Sequence, residues 1–117
     1  MTGLGRRGEE AAARYLERRG YRLLERNLRL AGVEVDLVAE KGDWICFVEV
    51  KSRRRSHQGD PMEFVDPRKQ ARLIRAARVF CSGRSRWNRP VRFDVISVLE
   101  TESGLKINHL PDAFVEE

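Results

Sequence analysis

Two β-prone segments, Val33 to Lys41 and Trp44 to Arg53, are separated only by Gly42-Asp43, and this juncture restricts the fold more than any other feature of the chain. Gly-Asp between such runs favours a two-residue hairpin loop. Pairing Lys41 with Trp44 sets Ala39 against Cys46, Leu37 against Val48 and Val35 against Val50, which makes one face continuously apolar. On the other face, Val38 meets Phe47, Asp36 meets Glu49 and Glu34 meets Lys51. Directly opposed residues have Cβ atoms roughly 4.5 to 5.5 Å apart, and like charges there are destabilising. A shared proton or a bound cation relieves this, and oxygen ligands from two acids suit a hard ion such as Mg²⁺ or Mn²⁺. Lys51 projects beside the pair, where an ammonium can orient a metal-bound water or stabilise charge on a phosphate. Only four of the 23 basic residues are lysine, and burial lowers a lysine pKa as it cannot lower that of arginine. The bland alternative is a buried salt-bridge cluster in which Lys51 neutralises Glu34 and Glu49 while Asp36 turns to solvent.

The flanking segments predict an α-β-β-β-α-β-β order. Gly5 to Arg19 is helical, stopped by Gly20, with Ala12, Ala13 and Leu16 in one stripe and Glu9 projecting into its middle. Tyr21 to Leu30 reads as a strand broken by Ala31-Gly32. After a basic loop from Ser52 to Pro61, Asp66-Pro67 supplies an N-cap and a first-turn proline for a helix ending at Gly83. Leu73, Ala77, Phe80 and Cys81 share one side of that helix; Arg68, Arg72 and Arg75 share the other, with Arg78 at its edge and Lys69 on the border. Val91 to Leu99 alternates as a strand, and Glu100 to Gly104 turns it into a short strand near Leu105 to His109. The class is α/β, a mixed central sheet flanked by helices, in one domain over residues 1–117 with roughly 100–117 as a C-terminal extension of unassigned role.

Charge is distributed unevenly. Between Lys51 and Arg92 there are thirteen basic residues and three acids, a local +10 in a chain of net charge +5. Such a field suits a polyanion, because neutralising phosphates releases condensed counterions. Arg53, Arg54, Arg55, Arg68, Lys69, Arg72 and Arg75 are the expected nucleic-acid contacts; the alternative is a surface merely solvated by arginine. With 35% charged residues no segment reads as a membrane span, and no apolar leader opens the sequence, so a cytoplasmic protein is expected. Cys46 and Cys81 have no metal or redox spacing and read as core residues.

Gly32-Val33-Glu34-Val35-Asp36-Leu37-Val38 with Cys46-Phe47-Val48-Glu49-Val50-Lys51 resembles the Asp…Glu-x-Lys motif of the restriction-endonuclease-like nucleases. The ordered set from Gly5-Arg6-Arg7-Gly8-Glu9 through Gly20-Tyr21 and Arg26-Asn27 to Pro67-Arg68-Lys69-Gln70 and Arg92-Phe93-Asp94 is similar to the uncharacterised YraN-like family of that superfamily, whose relatives include the archaeal Holliday-junction resolvases. The resemblance implies a restriction-endonuclease-like fold and a Mg²⁺- or Mn²⁺-dependent hydrolase of phosphodiesters. Asp36, Glu49 and the Val50 carbonyl would hold the metal, Lys51 would assist the attacking water, and Glu9 would approach the same site. Glu34 is a further candidate, although Val33 stands before it where the family often has glycine; Gln70 and Lys69 are expected along the cleft. DNA is the expected substrate, preferably branched, with RNA as an alternative, and a symmetric dimer would suit a two-strand cut. The rival reading is a non-catalytic nucleic-acid-binding module that retains the fold.

Other features are weaker. Gly3-x-Gly5-x-x-Gly8 lacks the preceding strand of a dinucleotide site. Trp87, among arginines, reads equally as a base-stacking residue or a loop anchor. Asp94 reads as a salt-bridge partner of a helix arginine, and His57 and His109 as lone exposed or structural histidines.

Overall fold

The computed structural model describes residues 3–54, 66–83 and 88–114. Helix α1 spans Gly3–Arg18 and buries Gly8, Glu9, Ala12, Ala13 and Leu16, so Glu9 lies in the apolar stripe where the helical period put it. Its end is a Schellman-type cap: the N–H groups of Tyr21 and Gly20 donate to the carbonyls of Leu16 and Glu17, with Gly20 at φ +88°. Strands β1 (Arg22–Leu30), β2 (Val33–Lys41) and β3 (Trp44–Arg54) follow, then α2 (Pro67–Gly83), β4 (Val91–Thr101) and β5 (Gly104–Phe114). The α-β-β-β-α-β-β order is as the sequence predicts.

The sheet runs β1-β2-β3-β4-β5, antiparallel except where the α2 crossover makes β3 and β4 parallel. Helix α2 covers one face, where Leu73, Ala76, Ala77 and Phe80 meet Val38, Ile45, Phe47, Phe93 and Val95. Helix α1 covers the other, packing Ala12, Ala13 and Leu16 on Leu37, Cys46, Val48, Ile96 and Val98. The Gly42-Asp43 hairpin keeps the expected register from Lys41 opposite Trp44 to Leu37 opposite Val48, with Gly42 at φ +59°.

Beyond Leu37 the expectation fails. The pairs Asp36–Glu49, Val35–Val50 and Glu34–Lys51 are not ladder partners. Val35 packs on the α2 side, whereas Leu37 and Val50 lie on the α1 side, so the predicted apolar face is not continuous. The neighbouring strand switches with it. Arg26 reaches Glu10 of α1, while Leu28, two residues on, packs on the α2 side. Between those residues Asn27 has φ +50°, a left-handed conformation that asparagine tolerates better than most. Both strands therefore change faces at Asn27 and Asp36, and there the Asp36 carboxylate accepts the Val50 N–H at 2.8 Å. A side chain acts as acceptor where the β2 ladder has ended.

The last strand is also longer than expected: β5 is an 11-residue edge strand, so most of the supposed extension belongs to the sheet. No helix among the described residues is long and apolar enough to cross a membrane.

Candidate active site

The cleft at the face switch has a volume of about 230 Å³ and is lined by Leu4, Gly5, Glu9, Asp36, Val50, Lys51 and Ser52. Three of these come from α1, one from β2 and three from β3. Helix α1 approaches β3 closely here because residue 8 is glycine; a Cβ on Gly8 would collide with the Ser52 hydroxyl and lie 3.0 Å from its Cβ.

Asp36 and Glu49 meet side chain to side chain. Burial, then the Glu49 charge and a hydrogen bond between the two carboxyls, pushes the Asp36 pKa up to about 8. The Val50 N–H opposes that rise without cancelling it. Glu49 is 4% exposed, and its carboxylate forms an ion pair with Lys69 from the first turn of α2. Glu9 is buried nearby, accepting a hydrogen bond from Asn27 Nδ2 at 2.8 Å. Its pKa is raised, chiefly by burial, and the Asp36 charge adds to the rise.

The structure thus brings Glu9, Asp36, Val50 and Lys51 together around the cleft, with Glu49 against Asp36 and Lys69 against Glu49 behind them. Glu34 is not among them: it faces Arg29 across the β1–β2 ladder and pairs with it at 3.8 Å, exposed. In place of the bland cluster, Glu34 pairs with Arg29 and Glu49 with Lys69, and Asp36 lies against Glu49 instead of turning to solvent. Gln70 is half-buried beside Lys69, its N–H bound to the Asp66 carbonyl at 2.9 Å. Arg68, Arg72 and Arg75 are exposed along the outer side of α2. Arg53 is half-buried, and Arg54 is tied to Glu100 at 2.9 Å. Arg55 and Trp87, and His57 with them, lie outside the described residues.

Sequence reasoning missed Asn27 as a partner of Glu9 and, although it expected Lys69 along the cleft, missed its pairing with Glu49. Asn27 holds Glu9, and the available signal was an asparagine in mid-strand, where its propensity is poor. Lys69 holds Glu49 across the crossover, with no local signal beyond its border position on α2.

The donor set suits a hard divalent ion: two carboxyls forced together, one of them keeping its proton well above the usual range, beside the backbone of Val50. Among the described residues no group of three or more His, Cys, Asp or Glu side chains could hold a metal; the donors at hand are the two carboxyls and the Val50 backbone beside them.

Residues 8–98 match the model of Uncharacterised protein family UPF0102. The chain belongs to that family. A UPF0102 protein of Syntrophomonas wolfei is 47% identical over 95% of this chain and 96% of its own length. Those of Ectopseudomonas mendocina and Chlorobium phaeobacteroides are 44% and 43% identical, covering 95% and 97% of this chain and 93% and 94% of their own. The UPF0102 description fixes kinship and names no activity, so the chemistry rests on the residues in the cleft.

Proposed function

We propose that this UPF0102 protein has a restriction-endonuclease-like fold and is a metal-dependent nuclease hydrolysing phosphodiesters in DNA. The observation that carries the reading is the contact between the Asp36 and Glu49 carboxyls at the wall of a cleft that Asp36 and Lys51 both line. Asp36, Glu49 and the Val50 carbonyl would hold Mg²⁺ or Mn²⁺. When bound, that ion supplies an activated water and charge stabilisation at the phosphate. Lys51 places an ammonium against the phosphate oxygens or the attacking water. Glu9, buried beside Asp36 and with its pKa raised chiefly by burial, would hold or pass a proton at the edge of the cleft. The exposed arginines of α2 would grip the backbone without reading sequence. Branched DNA is the preferred substrate by resemblance to the resolvases.

A second reading has its own observation in favour. Lys69 already neutralises Glu49, and an acid so satisfied can be structural in a nucleic-acid-binding module. Cleavage of linear, flap and four-way DNA with Mn²⁺, and of the same panel in RNA, decides between them. We expect the wild type to cut and Glu49→Ala and Lys51→Ala to bind without cutting. Binding by all three with hydrolysis by none establishes the module instead; cleavage confined to the RNA panel moves the substrate.

A further inference from the structure

The ammonium of Lys69 has an unusual place for a helix-surface cation. Asp66 fixes the start of α2 by accepting the Lys69 N–H at 2.9 Å on its side chain and the Gln70 N–H at 2.9 Å on its carbonyl. The same turn sends the Lys69 side chain to Glu49. The two ends of this pair differ sharply in exposure: the Glu49 side chain is 5% exposed and that of Lys69 is 37%. The acid is fixed in the sheet, whereas the cation reaches it from a solvent-facing stem. Lys69 also acts on Asp36, whose ionisation its charge favours. A divalent ion held by Asp36 and Glu49 would thus arrive where a monovalent cation already sits, and two cations sharing one carboxylate repel.

We propose that Lys69 is a positioning residue with two alternative partners: Glu49 before a divalent ion is bound, and a backbone phosphate of the nucleic acid afterwards. This deepens the nuclease reading and rests on its metal pair. The outer side of α2 supplies the second partner, because Arg68 and Arg72 are exposed on the same first turns and would lay a phosphate chain along the helix. A flexible, point-charged ammonium can change partners in this way more readily than a planar guanidinium. Metal and nucleic acid then favour each other, since each takes one of the charges that the Lys69–Glu49 contact pairs, and the coupling is reciprocal.

The test is Mn²⁺ binding to the full chain by calorimetry, with and without a phosphorothioate DNA duplex that resists cleavage. Wild type, Lys69→Met, Lys69→Gln and Lys69→Arg are compared, with Asp36→Asn as the control that lacks the site. Without DNA, Lys69→Met and Lys69→Gln should bind Mn²⁺ about tenfold more tightly than wild type. The duplex should raise wild-type affinity for Mn²⁺ at least fivefold and leave those two variants unchanged, while Lys69→Arg retains part of the coupling. Equal or weaker Mn²⁺ binding by both neutral variants overturns the proposal, as does an equal effect of DNA on wild type and variants. Lys69→Gln keeps a hydrogen-bond donor for Glu49, so the comparison stands if Lys69→Met unfolds. Wild-type binding no stronger than that of Asp36→Asn removes the metal pair itself, and this proposal with it, whereas the first two outcomes leave the pair intact.

Discussion

Asp36 is the residue on which the site turns, and its environment makes a signed prediction. Its folded pKa of about 8 lies above the ordinary 3.8, so between those values the folded chain keeps a proton that the unfolded chain releases. The stability Asp36 contributes is therefore full at low pH and lost as pH rises through about 8. An asparagine amide at this position would still accept the Val50 N–H and could donate to Glu49 without a charge. Asp36→Asn should melt at least roughly 4 °C above wild type at pH 9, the equivalent of about 1 kcal/mol in a domain of this size, and the difference should shrink towards about pH 5. Superimposable melting curves at both pH values would mean that the carboxyls do not repel. Asn27 has two roles that substitution separates. Asn27→Gly keeps the left-handed backbone and loses only the bond to Glu9; Asn27→Ala loses both and should be the less stable by about 1 kcal/mol in denaturant melts.

Helix placement carries the next set of consequences. Gly8 lets α1 settle against Ser52 of β3, so Gly8→Ala must push the helix outward and shift Glu9 with it. A cost of about 1 to 3 kcal/mol is expected, the usual range for overpacking, and Ser52→Ala in the same chain should recover part of it. Helix α2 is two-faced as its periodicity predicts, with Leu73, Ala76, Ala77 and Phe80 buried and Arg68, Arg72 and Arg75 outside. Replacing those three arginines by alanine should weaken DNA binding uniformly across sequences and flatten the plot of log affinity against log salt by about 2 to 3, about one unit for each phosphate that is no longer neutralised. An unchanged slope would place the nucleic acid on another surface.

Across the whole molecule, β4 and β5 are pinned together by Asp94, which is 1% exposed. It accepts from Arg92 Nε at 2.9 Å and Nη2 at 2.8 Å and from the Asp112 N–H at 3.0 Å, and it bonds to His109 Nε2 at 2.8 Å. Burial alone would raise its pKa; the bonds from His109 and Arg92 outweigh burial and hold it below the usual 3.8. That contribution is present above pH 3.8 and disappears as pH falls through the lower folded value. Asp94→Asn should cost about 3 kcal/mol at neutral pH in urea melts, a deficit that narrows on acidification. Where a helix arginine was the expected partner of Asp94, the strand supplies Arg92 instead, because residues two apart on a strand share a face. What was legible follows local periods: the hairpin register from the turn out to Leu37, the inward Glu9 and the two faces of α2. What was not legible breaks a period or spans the crossover. The change of faces at Asp36 and a left-handed Asn27 end the two-residue alternation, and Lys69 meets Glu49 only through tertiary packing. In the edge strand β5 only Leu105 to His109 alternates, and beyond it Pro111 and Asp112 hide the strand's continuation to Phe114. If the carboxyls at positions 36 and 49 cradle a divalent ion for phosphodiester hydrolysis, the decisive assay is Mn²⁺-dependent cleavage of four-way DNA by wild type and Asp36→Asn, a variant expected to fold at least as well. Wild type should cut and the variant should lose at least about 100-fold in rate; equal rates in the two proteins would rule the cradle out.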